Sequence, residues 1–432
     1  MSINSWGNYP KINNNSIKFN TIDDLKNQLK NHSEIIACGN NRSYGDSALS
    51  NNIIQVKPFN KFLDFDQKAG VLHIQAGVLL ADIIKYFVPR GWFLKIVPGT
   101  KFITIGGAIA SDVHGKNHHI DGCFSESTLE FSLMLPDGQI KLCSPSKNQD
   151  LFRATCGGMG LTGVILDAKI SLRKINSKFI SQTTIKTENL EDTFAAFEKY
   201  NSEKYNFAWI DCFARGKNLG RSIMTIGDFA DDGQLDYIPS QKINIPFFLP
   251  NFTINKFTAG MFNKLYYYQT KQQISHQKLD LDAYFFPLDG IDNLNRVWGK
   301  SGFLQYQCIL PKETAFVGLT ELIECISRTK LGSHLSVLKK HGKANENYLS
   351  FPLEGYSLAL DFKMNNGLFK HLDHLDQILQ KYGGRIYLTK DARVSKQVFE
   401  RGYPNIEKFR ELRKKYKMSQ KFNSLQSHRL GL

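Results

Sequence analysis

Pro98-Gly99-Thr100, continued by Ile105-Gly106-Gly107-Ala108-Ile109-Ala110-Ser111-Asp112-Val113 and closed by His114-Gly115-Lys116-Asn117-His118-His119, is the stretch on which the reading of this chain turns. Glycines at this density let a main chain approach a flat ligand without obstruction by Cβ atoms. A second run, Gly39-Asn40-Asn41-Arg42-Ser43-Tyr44-Gly45-Asp46, follows the apolar Ile35-Ile36-Ala37. A small-residue turn at the end of a strand can aim consecutive backbone N–H groups at an anion. Taken singly, each run also reads as an ordinary glycine turn.

His114 and His118 stand in H-x-x-x-H spacing, which joins two metal ligands only on a helix. Gly115 and Asn117 disfavour a helix there. The glutamate of H-E-x-x-H is missing and Lys116 would repel a cation, so no metal is expected. The cluster reads either as donors and a cation beside a bound ligand, or as a solvated loop. A further segment, Gly158-Met159-Gly160-Leu161-Thr162-Gly163, fits the G-x-G-x-x-G dinucleotide fingerprint. That fingerprint needs a strand before it and a helix after it. Here 151–155 reads as helix and 164–172 as strand. The context is reversed, and a Rossmann site is rejected.

Around these motifs the chain is that of a globular protein. It has 432 residues, 42% hydrophobic and 22% charged, enough for two or three domains or one two-lobed enzyme. A net charge of +15 favours acidic partners such as a phosphate-bearing cofactor, anionic lipid or nucleic acid, or marks a diffusely basic surface. No nucleic-acid-binding motif accompanies it. Seven scattered cysteines form no C-x-x-C pair, so neither a disulfide framework nor a zinc site is signalled. No secretory pattern opens the chain, and no apolar run approaches the roughly 18 residues of a membrane span. A reducing, cytoplasmic setting is expected.

Residues 35–175 read as short strands between glycine turns. A strand is expected over Val71–Gln75, then a helix over 79–88 stopped by Pro89 and Gly91. The alternation on either side of Pro136-Asp137-Gly138 predicts a β-hairpin. Beyond residue 176 the pattern turns to longer elements, with helices over 190–200 and 313–329 and a strand over 303–310. The stretch 236–268 is aromatic, broken by proline and interleaved with lysine. It reads either as a flap that meets substrate or a membrane surface, or as a buried connection.

In order along the chain, these segments resemble the vanillyl-alcohol-oxidase-type FAD-binding (PCMH) family. The likeness rests on the Gly39–Asp46 and Pro98–His119 runs and on Ala154-Thr155-Cys156-Gly157-Gly158-Met159-Gly160-Leu161-Thr162-Gly163. It continues at Gly302-Phe303-Leu304-Gln305-Tyr306-Gln307 and Ser336-Val337-Leu338-Lys339, and returns at Gly383-Gly384-Arg385-Ile386-Tyr387-Leu388-Thr389-Lys390-Asp391-Ala392-Arg393. Nearly the whole chain is covered, with gaps around 180–300. Within the family, the likeness is strongest to enzymes that oxidise the 2′-hydroxyl of a polyprenyl-phosphate-linked pentose. Asn41 departs from the pattern, standing at a position that is normally glycine.

The resemblance implies an α+β, two-lobed fold. Residues 1–178 would form the FAD-binding domain, 179–388 an antiparallel-sheet substrate domain, and 389–432 a return to the FAD lobe. Many relatives carry a flavin-linked histidine where this chain has Arg42, which implies non-covalent FAD. The implied cofactor set is Gly39, Asn40, Asn41, Arg42, Ser43, Tyr44, Pro98, Gly99, Thr100, Gly106, Gly107, Ala110, Ser111, His114, Gly115, Asn117, His118, Gly160, Gly163, Val164, Tyr387 and Lys390. The implied catalytic residues are Lys390, His114 and Tyr44, with Lys116, Gln305, Gln307 and Lys339 facing substrate. Lys390 and His114 compete as proton acceptor. The implied partners are a lipid-linked sugar, a short-chain NADH-dependent reductase completing an epimerisation, and the membrane surface, with no nucleic acid. A soluble alditol or aldonolactone oxidase is the rival within enzymes. A non-catalytic membrane- or nucleic-acid-binding protein is the rival outside them.

Overall fold

The computed structural model describes residues 2–240, 242–250, 252–329, 333 and 335–432. A three-stranded parallel sheet runs in the order Asn15–Ile17, Asn52–Gln55, Ile36–Cys38. Beside it, Phe62–Asp66, Val71–Gln75, Val164–Lys174, Thr128–Met134 and Ile140–Cys143 pair antiparallel in that order. Trp92–Leu94 joins the end of Val164–Lys174. The largest sheet is eight-stranded and antiparallel. Its order is Ile274–Asp280, Phe179–Thr187, Ser222–Phe229, Tyr205–Ile210, Ser336–His341, Gly355–Lys363, Phe303–Pro311, Arg385–Ile386.

Local chemistry explains these elements. Val71–Gln75 alternates half-buried and buried residues, with Leu72 and Ile74 in the core. The helix after it, Leu80–Phe87, buries Leu80, Ile83, Ile84 and Phe87 and ends through a turn closed by Gly91 at φ 76°. The hairpin forms where Asp137-Gly138 lets the chain reverse, with Gly138 at φ 81°. Helix Gln149–Thr155 precedes the G-x-G-x-x-G segment and strand Val164–Lys174 follows it, the reverse of a dinucleotide site.

One glycine-rich stretch differs from the turn read in the sequence. Ile105–Ala110 is a short helix, because Thr104 caps it by accepting from Gly107 N and Ile105, Ala108 and Ile109 are buried. Gly106 permits the close approach: a Cβ there would stand 3.1 Å from Ala76 Cβ. Asn41 sits at φ 53°, a left-handed conformation that asparagine tolerates better than most residues.

Helices Leu190–Lys199, Lys312–Arg328 and Leu368–Lys381 pack on the eight-stranded sheet. In its strand Phe303–Pro311, Leu304, Tyr306, Cys308 and Leu310 face the core, and Gln305 and Gln307 stand on the opposite face between buried Phe303 and Ile309. Among the described residues of 236–268, Tyr237, Ala259, Asn263 and Tyr267 are buried but most of the aromatic side chains are exposed. Phe247, Phe252, Phe257, Leu265 and Tyr268 are all more than 60% exposed. Helix Lys256–Gln269 docks by Ala259, Asn263 and Tyr267, with Asn263 Nδ2 donating to Asp211 Oδ1 at 3.1 Å.

The C-terminal segment returns to the parallel sheet. Ile35 N donates to Lys421 O at 2.8 Å, and Leu425 N to Leu49 O at 2.8 Å. Arg429 then bridges two buried carboxylates, Asp46 at 2.8 Å and Asp391 at 2.9 Å. Burial pushes the Asp46 carboxyl up to about 6 against the pull of that arginine. Removing Arg429 leaves both carboxylates buried without their cation, which costs about 3–5 kcal/mol. We therefore expect Arg429→Ala to lower unfolding stability by that amount in urea titrations at neutral pH. Without the arginine Asp46 titrates higher still. A carboxyl raised on folding favours the folded state at low pH, so the deficit should narrow on acidification through the raised pKa.

Candidate active site

Three neighbouring strands build one wall of a cavity. Register pairs Gln305 with Asp361, Gln307 with Ala359 and Val337 with Ala359. A period of two along each strand therefore turns Gln305, Gln307, Val337, Lys339, Ala359 and Asp361 to one face. All except Asp361 line a cavity of about 390 Å³, with Asp361 hydrogen-bonded just behind Gln305. The opposite wall comes from the Gly39–Tyr44 turn, the Pro98–Thr104 loop, the helix that follows, and Gly160 and Gly163. Tyr387, Thr389 and Lys390 close one side, and residues 287–294 another.

The charges in this space are unusual for a protein interior. Lys390 Nζ lies 3.8 Å from the centre of the Tyr44 ring. Burial drives the Lys390 ammonium down, Asp361 holds it up, and Lys339 adds repulsion. Burial alone lowers Lys339 to about 8. Asp361 is pushed up by burial and pulled back by Gln305, whose Nε2 donates to Oδ1 at 2.6 Å, and by Lys390. The Lys116 ammonium donates to Tyr284 O and stands 3.9 Å over the Phe207 ring. Burial and Lys339 hold it well below the usual lysine range.

His114 is neutral for the same reasons: burial first, then Lys339, His118 and Lys390. Gln307 Nε2 lies 3.2 Å from His114 Nε2. An amide N–H donates, so the ring proton belongs on Nδ1. That nitrogen is buried with no hydrogen-bond partner among the described residues.

Residues 21–144 match the sequence profile described as an FAD binding domain. Over 421 residues the chain is 33% identical to decaprenylphosphoryl-beta-D-ribose oxidase of Mycolicibacterium smegmatis, covering 92% of this chain and 89% of that protein. The chain belongs to this PCMH-type family of FAD-binding oxidases. Its similarity to L-gulonolactone oxidase of Mus musculus is lower, 24% over 406 residues, or 87% of this chain and 85% of that protein. It is thus an FAD-dependent oxidoreductase acting on CH–OH groups, with an α+β architecture.

Most residues implied by resemblance to this family meet at the cavity. Lys390, His114, Tyr44, Lys116, Gln305, Gln307, Lys339 and Tyr387 line it, as do the glycine-rich segments. Three do not. Asn117 is fully buried, with Nδ2 donating to Lys95 O at 2.8 Å and Asp121 Oδ2 at 2.6 Å. His118 accepts from Gly342 N at 3.2 Å and packs against His341. Val164 is fully buried in its strand opposite Met134. The Tyr387 hydroxyl donates to Ser111 O at 3.0 Å, which leaves it only acceptor capacity toward a ligand.

Sequence reasoning missed Asp361, Phe207, Ala359 and the 287–294 segment. Asp361 did carry a signal: it is the lone charge in the otherwise uncharged run Tyr356-Ser357-Leu358-Ala359-Leu360-Asp361-Phe362. A charge in a buried strand needs a partner. We expect Asp361 to act as a positioning residue through Gln305 and Lys390. Asp361→Asn removes the charge that holds Lys390 up, so Lys390 titrates lower. The limb of the pH–activity profile that reports Lys390 should move to lower pH by about 1 unit or more, whether lysine acts as cation or as base. Asp361→Glu should restore part of the displacement.

Proposed function

We propose that this enzyme oxidises the 2′-hydroxyl of a polyprenyl-phosphate-linked pentose, as the first half of an epimerisation completed by a separate NADH-dependent reductase. The observation that carries this reading is the cavity itself. Polar sheet residues and buried lysines face glycine-rich loops there, beside an exposed aromatic stretch suited to a lipid. The 33% identity to a decaprenylphosphoryl-ribose oxidase supports the same substrate class.

The residues present fit FAD. Backbone N–H groups of Asn40, Arg42 and Ser43 have no protein hydrogen-bond partner among the described residues and border the cavity, as a pyrophosphate nest requires. A Cβ on Gly99 would meet nothing within 4 Å, only the open space of the cavity. The reading therefore assigns the Gly39–Tyr44 and Pro98–Gly107 segments to FAD, held non-covalently because arginine at 42 cannot form the histidyl–flavin bond. In domain terms, 1–178 with 389–432 would form the FAD lobe and 179–388 the substrate lobe.

Bound FAD supplies two-electron redox chemistry at a carbon bearing a hydroxyl. The protein must orient the sugar, exclude water and receive the hydroxyl proton. Gln305, fixed by Asp361, and Gln307 offer amides for orientation. Lys390 Nζ, driven toward neutrality by burial, is the better proton acceptor, since His114 Nε2 is already engaged by Gln307. Lys339 supplies positive charge for the negative charge that develops. The exposed aromatic stretch, with Lys264 and Lys271 also exposed, would adsorb to an anionic membrane surface while the lipid tail stays in the bilayer. Among the described residues no helix is long and apolar enough to cross a membrane.

Purified protein should be yellow and release its flavin on denaturation. Anaerobically, a farnesyl-phosphoryl-pentose should bleach the flavin, and Lys390→Ala should slow bleaching by about 100-fold or more. No flavin uptake on reconstitution overturns the cofactor assignment. Bleaching by free aldonolactones or polyols alone would instead favour a soluble sugar oxidase.

A further inference from the structure

A second cavity, about 350 Å³, adjoins the first and shares Trp6, Asn40, Asn41, Arg42 and Asn293 with it. Its remaining wall includes Asn295, Arg296 and Phe248, and among the described residues no carboxylate lines it. Two guanidinium groups therefore face one polar space that is free of acidic side chains.

Arg42 is the more telling of the two. Its guanidinium lies 4.2 Å from the centre of the Trp6 ring. Among the described residues, none of its N–H groups is hydrogen-bonded and no carboxylate oxygen comes within 4 Å. Asp289 and Asp292 act on it only from a distance. Each is engaged elsewhere: Asp289 accepts from Lys101 N at 2.7 Å, and Asp292 pairs with Lys242 at 2.9 Å. A stacked, immobilised arginine with free donors is preorganised for an anion. Arg296 uses Nη1 on Ile245 O and Pro246 O, at 2.9 and 2.8 Å, which leaves Nε and Nη2 free.

The order of chemistry along this path matters. Lys390 lies over Tyr44, Arg42 is two residues earlier in the chain, and Arg42 opens on the second cavity. Phe248 lines that cavity with Arg296 Cζ 6.0 Å from its ring, and exposed Phe247 and Phe252 lie close by in sequence. Polar pocket, paired arginines and apolar strip repeat the order sugar, phosphate, lipid.

We propose that the second cavity is a phosphate-binding subsite, in which Arg42 and Arg296 hold the phosphodiester of the lipid-linked substrate. This rests on the substrate class proposed above. The same chemistry could serve the pyrophosphate of the flavin, so the test must separate the two sources.

FAD-loaded protein is titrated with farnesyl phosphate and, separately, with farnesol, and the ratio of the two Kd values is measured. The phosphate should bind more tightly, and Arg42→Gln and Arg296→Gln should each shrink the ratio by about tenfold or more. Arg296→Lys, which keeps a point charge, should recover part of it. Arg42→Gln breaks no hydrogen bond in the structure, so it remains informative if Arg296→Gln disturbs the neighbouring stretch. An unchanged ratio in both variants overturns the subsite, even if farnesyl-phosphoryl-pentose bleaches the flavin. Weaker FAD binding by Arg42→Gln with an unchanged ratio assigns the arginine to the cofactor and also overturns it. A ratio that collapses in both variants, when no phospho-pentose bleaches the flavin, keeps the phosphate subsite and removes the pentose.

Discussion

Arg429 holds Asp46 and Asp391 together, and those carboxylates end the two segments that bring Tyr44 and Lys390 face to face. The contact is reinforced by the main chain, with Tyr44 N donating to Thr389 O at 3.1 Å. Gly45 makes the approach feasible, since a Cβ there would fall 1.8 Å from Asp391 O. An N-terminal turn and a C-terminal segment thereby become one wall of the cavity. Helix Leu425–Leu430 carries that arginine, and Leu425 N donates to Leu49 O at its start.

The electrostatics of the cavity follow from its depth. Lys390, Lys339 and Lys116 are all buried enough that their ammonium groups are disfavoured, while Asp361 is the carboxylate aligned with them. Interactions among such groups are stronger than in water and little screened by salt. Small changes of charge on a bound ligand therefore shift the protonation of the lysines around it. That responsiveness suits a reaction in which a hydroxyl loses a proton as a carbon loses a hydride.

Local pattern was legible wherever neighbouring residues decide the outcome. The strand Val71–Gln75, the Asp137-Gly138 hairpin and the reversed context of the G-x-G-x-x-G segment all depend on short-range periodicity and turn chemistry. Ile105–Ala110 was harder, because its glycines argue for a turn while burial on the sheet and the Thr104 cap favour a helix. Asn117, His118 and Val164 sit within cavity-lining segments, yet their side chains are taken up by packing and by hydrogen bonds inside the protein.

By itself the sequence pointed to the class of protein through glycine-rich runs and the His114–His119 cluster standing in a recognisable order, while a solvated reading stayed open for the lysines and histidines. The tertiary structure alone decided which side chains share a space. Gln305 and Asp361 are far apart in sequence but opposite in register, and Arg42 meets Arg296 only across a cavity. It also decided that Phe247, Phe252, Phe257 and Tyr268 are exposed, where composition allowed either outcome. Strand register and burial are long-range properties. They arise from where distant segments pack, and no local pattern of residues encodes them.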